Sequence, residues 1–463
     1  MIKPVSLALV TSSLLLGCIN EQASVPNPQA EVVTETQDKG FAENFYSQAS
    51  IYEVNVRQFS EAGTLEAVTE QLPRLKAMGV DIIWLMPIQP ISEVKRKGEL
   101  GSYYSIADYT AVHPDYGTLE DVKALVAKAH ELNQKVILDW VANHTGWDHP
   151  WITQHPDWYS KNADGDITDP IDARTGESWG WTDVADLNYD NKALWQGMSE
   201  AMQFWLREVD MDGFRCDVAG EVHTEFWNHV RPQLDAIKPV FMLAEAEKPE
   251  LQQAFDMSYG WEAHHLINAV VKGEKAPKVI DEYMQQRAEK FAPDHQLMMF
   301  TTNHDENSWN GTVFERFGEA HKAAAVLSFT LDGMPLIYSG QESAMDKRLK
   351  FFQKDAIDWK DYPLQAFYSD LLTLKDSQSA LWSGPGGGKF QALSYQSDQT
   401  KAYAFRRVNK DSNLVIAVNL SDQPAKVTLE TPLDGYKAIF GQGQLIGESI
   451  ALEPHQFVIL NNG

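Results

Sequence analysis

Gly213-Phe214-Arg215-Cys216-Asp217-Val218-Ala219-Gly220 is the stretch on which the reading of this chain turns. One glycine opens the run and another closes it. On a strand, successive side chains point to opposite faces, so Phe214 and Cys216 share one face and Arg215 and Asp217 the other. The apolar pair wants a core. The charged pair falls at the strand's C-terminal end, where parallel α/β architectures place their active sites. An arginine beside an aspartate favours the ionised carboxylate and lowers its pKa, which suits a nucleophile at neutral pH. The same pair serves equally well as a structural ion pair closing a strand. The flanking chain decides between the two.

Around this stretch, strand-like and helix-like segments alternate. Strands are expected at Ile51–Val56, Val80–Met86, Lys135–Asp139, Gly213–Asp217, Val240–Ala244, Phe255–Ser258, Leu297–Thr302 and Pro335–Ser339. The sixth of these carries the weakest pattern. Helices are expected at Leu65–Met78, Leu119–Leu132, Ala193–Val209, Glu221–Ile237, after Ser258 to about residue 289, at Ala320–Leu331 and at Pro363–Lys375. Eight strands alternating with seven helices point to a (β/α)₈ TIM barrel, placed here over residues 46–384. The rhythm breaks over roughly residues 145–185, far longer than an ordinary βα loop. That insert after the third strand carries Trp147, Trp151, Trp158, Trp179 and Trp181, and reads as a small subdomain or binding loop. Beyond Gly384-Pro385-Gly386-Gly387-Gly388 only short alternating runs remain, so residues 389–463 read as a C-terminal antiparallel β-sandwich.

At 463 residues and a net charge of -26, the chain would be repelled by nucleic acid and by anionic membrane surfaces. A neutral substrate meets no such barrier. The 14 Trp and 16 Tyr suit stacking on sugars, and equally suit cores and interfaces. The two cysteines, Cys18 and Cys216, offer no disulfide framework. Residues 1–17 read as an export signal: Lys3 supplies charge and Val5–Leu16 an apolar run too short to span a bilayer. Leu15-Leu16-Gly17-Cys18 resembles the bacterial lipoprotein box, which implies lipidation of Cys18. The expected product is an exported lipoprotein, periplasmic or anchored at the outer membrane or cell surface. Residues 18–45 run polar without periodicity, as a disordered tether does.

Charged and polar residues recur at the ends of separate expected strands: Asp139 with Asn143 and His144, Arg215 with Asp217, Glu245, and Asn303-His304-Asp305. In a barrel they share the C-terminal mouth. Two carboxylates suffice to cleave a glycosidic bond, one staying ionised and the other protonated. Asp217 has its arginine. Glu245 follows an apolar run, Val240 to Ala244, and desolvation would raise its pKa as a general acid requires.

Taken together, Asp139-Trp-Val-Ala-Asn143-His144, Gly213-Phe-Arg-Cys-Asp217, Glu245 and Asn303-His304-Asp305 resemble the four sequence signatures of the α-amylase family of glycoside hydrolases. Ile83-Trp84-Leu85-Met86-Pro87, Gly101–Tyr109, Asp186-Leu187-Asn188 and Ile337–Glu342 extend the resemblance. It implies Asp217 as nucleophile, Glu245 as general acid/base and Asp305 as a third carboxylate gripping the sugar. It also implies that Arg215 orients Asp217, that His144 and His304 hydrogen-bond the sugar, and that Tyr104, or else its neighbour Tyr103, stacks on it. The family retains configuration, which sets the Asp217–Glu245 carboxyl separation at roughly 5–5.5 Å.

Where many α-amylases carry Lys-His after the nucleophile, this chain has Gly220-Glu221. A glutamate there resembles the neopullulanase and cyclomaltodextrinase branch, which acts on short or cyclic glucans and often transfers glycosyl groups. In calcium-binding members the residues matching Asn143 and Asp186 are ligands, so calcium is a further expectation. Asp164-Gly165-Asp166 lacks the full calcium-loop spacing and reads as a solvated turn. The expected activity is hydrolysis of α-1,4-glucosidic bonds in starch-derived malto-oligosaccharides through a covalent glycosyl-enzyme. The alternatives are cyclomaltodextrinase, neopullulanase or glycosyl transfer, and a non-catalytic glucan-binding protein, which would have lost one of the carboxylates.

Overall fold

The computed structural model describes residues 45–172 and 175–462. The export signal, Cys18 and the tether lie outside the described residues, except that Phe45 starts a short helix, Phe45–Gln48, instead of ending the tether.

Eight parallel strands close a barrel: β1 (Ile51–Val54), β2 (Ile82–Leu85), β3 (Lys135–Trp140), β4 (Gly213–Cys216), β5 (Phe241–Ala244), β6 (Met257–Tyr259), β7 (Gln296–Met299) and β8 (Met334–Tyr338). Each strand pairs with its neighbours in chain order, and β8 closes on β1. Burial on both faces explains why the strands read as near-continuous apolar runs. Gly213 is needed where β4 starts, since a Cβ there would sit 1.9 Å from the Phe241 carbonyl oxygen.

The outer helices form for local reasons. Leu65–Met78 buries Leu65, Val68, Leu72, Leu75 and Met78 along one stripe, and the Thr64 hydroxyl caps it by accepting from the Ala67 N–H. Leu119–Glu131 starts on a full capping box between Thr118 and Asp121. The sixth strand is displaced from its expected place. Phe255 packs in the core, the Asp256 carboxylate accepts from the Met242 N–H at 2.8 Å, and the regular strand runs from Met257 to Tyr259. The sixth unit also carries two helices, Trp261–Lys272 and Lys278–Lys290.

Register sets the mouth. Asp139 pairs with Arg215 across β3 and β4, and Arg215 with Leu243 across β4 and β5. Asp217 and Glu245 then leave adjacent strand ends. The insert begins and ends as an antiparallel ladder of His144–Gly146 with Val184–Asp186, and holds a one-turn helix, Trp151–Gln154.

The C-terminal strands form a five-stranded and a four-stranded antiparallel sheet around Val415, Ala417, Val427, Ile450, Val458 and Leu460. Barrel and sandwich belong to one compact unit. Buried Arg407 joins them by donating to the carbonyls of Thr330 (3.0 Å), Trp382 (2.9 Å) and Gly388 (3.1 Å). Among the described residues, no helix is long and apolar enough to cross a membrane.

Candidate active site

One buried guanidinium gathers the carboxylates. Arg215 Nη1 donates to Asp139 Oδ1 at 2.9 Å and to Asp217 Oδ1 at 3.1 Å, while Nε donates to the Tyr259 hydroxyl at 3.1 Å. Its Nη2 lies 3.0 Å from Glu245 Oε1, an ion pair whose angle is too steep for a hydrogen bond. The sequence shows no base beside Glu245; the barrel supplies Arg215. The other oxygen, Oε2, accepts from the Val218 N–H at 2.7 Å.

Burial outweighs the arginine. Desolvation pushes Asp217 up to about 6, with Arg215 opposing and the charges of Asp139 and Asp305 adding to the rise. The expected lowering of this carboxyl therefore does not win, because its side chain is almost fully enclosed. Glu245 goes further, to about 7, again through burial first, as the apolar run before it leads one to expect. The order needed for an ionised nucleophile and a protonated acid survives.

Asp305 stands apart. Burial raises it, but the His304 charge and hydrogen bond, then Arg215 and Trp309, outweigh burial and hold its carboxyl below the usual range. His304 Nε2 is 3.3 Å from Asp305 Oδ2 and 2.8 Å from the Tyr104 hydroxyl, which also donates to Asp139 Oδ2 at 3.1 Å. The opposite ring nitrogen of His304 meets Glu53 Oε1 at 2.5 Å. Carboxylates on both sides keep this imidazole charged far above its ordinary pKa, although burial opposes it.

His144 is the reverse case. Burial drops it to about 3, so its ring is neutral, with Nδ1 3.3 Å from Asn143 Nδ2 and Trp181 edge-on at 5.8 Å. Tyr104, His144, Asp217, Glu245, His304 and Asp305 all face one cavity of about 440 Å³, walled further by Trp181, Trp309, Phe351 and Phe352. Tyr103 points elsewhere: its hydroxyl accepts from Asn55 and Gln58, and the Arg57 guanidinium covers its ring at 4.0 Å. A larger cavity of about 710 Å³, beside Arg57 and His113, contains none of these carboxylates.

A family model described as alpha amylase, catalytic domain, matches residues 47–370. This chain belongs to the alpha-amylase family. The alpha-amylase MalA of Haloarcula japonica is 29% identical over 412 residues, covering 85% of this chain and 58% of that protein. This amylase-family chain therefore spans little more than half the length of that relative. Alpha-amylase 3 of Dictyoglomus thermophilum is 29% identical over 360 residues, 70% of this chain and 69% of its own length. The crystal structure of an alpha-amylase from Lactobacillus plantarum superposes with a TM-score of 0.78 at 29% identity, covering 90% of this chain and 99% of that one.

The amylase-family barrel brings all seven expected catalytic and sugar-contacting residues together, and adds Glu53, Asp139, Trp309, Phe351 and Phe352. The sequence carries Asp139 as a strand-end carboxylate. For Glu53 the only signal is a lone acid in an apolar strand. Gly220 has a specific neighbour. A Cβ there would meet Lys248 Cε and Nζ at 3.0 Å, and Lys248 Nζ donates to the Gly220 carbonyl at 2.6 Å and approaches Glu221 at 3.5 Å. A lysine from the β5 loop thus fills the space over the loop that follows Asp217.

Asn143 and Asp186 do approach, joined by the Leu187 N–H to Asn143 carbonyl bond of 3.1 Å, and burial lifts Asp186 to about 6. Calcium takes roughly six to eight oxygens. These two side chains bring one carboxylate and one amide, and no cluster of three or more His, Cys, Asp or Glu able to hold a metal exists among the described residues. The pair does not fit calcium unaided. Asp164-Gly165-Asp166 is an exposed turn, with both aspartate N–H groups donating to Asn162 Oδ1.

Proposed function

We propose that this chain is a retaining α-glucan hydrolase acting on α-1,4-linked malto-oligosaccharides. The observation that carries the reading is Arg215 held between Asp217 and Glu245, two carboxyls whose pKa values burial and charge push to different heights. Asp217 attacks the anomeric carbon while Glu245 gives its proton to the leaving glycosidic oxygen. Water then enters with Glu245 as base, and attacks the same carbon to release the sugar from Asp217. Asp305, held ionised by His304, accepts hydrogen bonds from the sugar hydroxyls. Tyr104 offers its ring to the same sugar. Neutral His144 and cationic His304 supply hydrogen bonds of different character to it.

Wild type and Asp217→Asn should be assayed on starch, pullulan, cyclodextrin and short maltodextrins, with and without chelator. Release of reducing sugar from maltodextrins by wild type alone supports the reading; equal rates from both proteins would sink it. Glu221 favours one second reading, preference for short or cyclic glucans with glycosyl transfer. Products longer than maltoheptaose, formed from maltoheptaose, would support that reading.

We also propose that the protein is exported and lipid-anchored through Cys18, a reading that rests on residues 3–18 alone. Radiolabelled palmitate should label the wild-type protein and not Cys18→Ala.

A further inference from the structure

The insert after β3 has little regular structure of its own: a ladder of His144–Gly146 with Val184–Asp186, and short helical turns at Trp151–Gln154 and Pro156–Trp158. Its placing beside the cavity then depends on side chains from outside it. The loop after β2 supplies them at three places in a row. The Glu93 N–H donates to Asp148 Oδ2 at 2.8 Å. The Lys95 ammonium lies 3.1 Å from the centre of the Trp147 ring. Lys97 Nζ donates to the Gly180 carbonyl at 2.7 Å and lies 3.0 Å from Asp183 Oδ1. Trp147 Nε1 ties the two ends of the insert together by donating to the Thr182 carbonyl at 3.1 Å.

Of the three, the Lys97 contact bears on the site. Its partners, Gly180 and Asp183, bracket Trp181, which meets the His144 ring at 5.8 Å, and Lys97, Asp183, Trp181 and His144 all line the cavity of the carboxylates. Most surface ion pairs contribute little. This one differs, because the Asp183 side chain is 7% exposed and Lys97 is the cation paired with it among the described residues. The base of the lysine is fixed as well. Gly98 has φ +64°, and a Cβ there would collide with Phe352 Cβ. The Leu100 N–H donates to the Phe352 carbonyl at 2.9 Å, and Arg57 donates to the carbonyls of Leu100 (3.2 Å) and Gly101 (3.1 Å). The lysine thus reaches to the insert from a loop fastened to the barrel. The carboxylates are held elsewhere, Asp217 and Glu245 by Arg215 and Asp305 by His304.

We propose that Lys97 is a positioning residue, a clasp that holds the end of the insert, and through Trp181 the His144 ring, in place for the substrate. The proposal rests on the α-glucan reading above. Opening the clasp frees one wall of the cavity and leaves the three carboxyls where they are, so it weakens substrate capture without slowing the chemistry. Such a loss raises KM and spares kcat. The lysine is partly open to solvent, so salt weakens the pair as a mutation does. A glucan carries no charge, and the salt therefore acts on the protein.

Steady-state rates on maltoheptaose should be measured for wild type, K97M, D183N and K97M/D183N. K97M is expected to raise KM roughly threefold to tenfold and D183N roughly twofold to fivefold, the scale of one or two such polar contacts, with kcat within about twofold in each. The retained kcat also shows that each variant is folded. The double variant should match K97M, because the two side chains act as one unit. Raising salt from roughly 0.01 M to 1 M should raise the KM of wild type and leave that of K97M nearly constant. An unchanged KM in K97M, a kcat that falls as far as kcat/KM, or a double variant whose KM rises by the product of the two single factors would each overturn the clasp. No turnover of maltoheptaose by wild type would overturn the α-glucan reading, and the clasp with it.

Discussion

Glu53 Oε1 lies 2.5 Å from His304 Nδ1, a charged contact between two fully enclosed side chains at the mouth of the barrel. The second oxygen of Glu53 has no hydrogen-bond partner, so His304 is the group that makes this buried acid tolerable. The imidazolium in turn faces Tyr104 and Asp305. A residue on the first strand thereby joins Asp305 in holding the charge of a residue that follows the seventh.

Glu53→Gln is expected to weaken that control. His304 should titrate lower than in the wild type, because burial then opposes Asp305 alone. In the variant, activity should be lost as pH rises through the lowered imidazole pKa, with kcat lowered at least roughly tenfold. Imidazole 15N chemical shifts followed against pH provide the check. An identical His304 titration in Glu53→Gln and wild type would show that Glu53 does not act through it.

The rate profile should be bell-shaped. Asp217 must be ionised and Glu245 protonated, and burial raises the two to about 6 and about 7. Activity should fall below the first value, as the nucleophile gains a proton, and above the second, as the acid loses one. Measuring kcat/KM on maltoheptaose from pH 4 to pH 9 decides it; a flat profile across that range would contradict the assignment.

Both carboxyls are raised in the folded protein, so between their unfolded and folded pKa values the native state binds more protons than the unfolded chain. Their contribution to stability therefore falls as pH rises toward about 7. Glu245→Gln removes the charge and should raise Tm by roughly 2–4 °C at pH 8, with less effect at pH 5. A lower Tm for the variant at pH 8 would reverse the sign argued here.

Val218 has φ 35° and ψ 44°, a left-handed conformation that is costly for a β-branched residue. The turn aims its N–H at Glu245. Val218→Gly keeps the N–H and relieves the strain, and is expected to stabilise the fold by about 1 kcal/mol while holding kcat within a few-fold. Denaturant melts and steady-state rates test both parts. A clear loss of stability would mean that packing of the valine side chain outweighs its backbone strain.

Much of this protein is legible before folding. Short apolar runs and amphipathic helices specify the eight strands and the helices between them, because those patterns are local and each element must bury its own apolar face. The sixth strand is the exception, being three residues long and defined by its neighbours' hydrogen bonds. Strand-end polar residues likewise announce Asp217, Glu245 and Asp305. The two histidines show the limit. In sequence, His144 and His304 read alike, each beside an asparagine and near a strand end. In the barrel burial lowers the pKa of one, while neighbouring carboxylates raise that of the other.

The sequence by itself therefore determined the barrel, the sandwich and which carboxylates stand at the strand ends, since side-chain pattern and residue type are local properties. Only the tertiary structure decided the protonation of each site group, the Arg215 contact to Glu245, the Glu53–His304 pair and the placing of Lys248 over Gly220. Those depend on desolvation and on charges brought together from distant strands. Coulomb energy and burial are functions of distance in space, which the order of residues along the chain does not record.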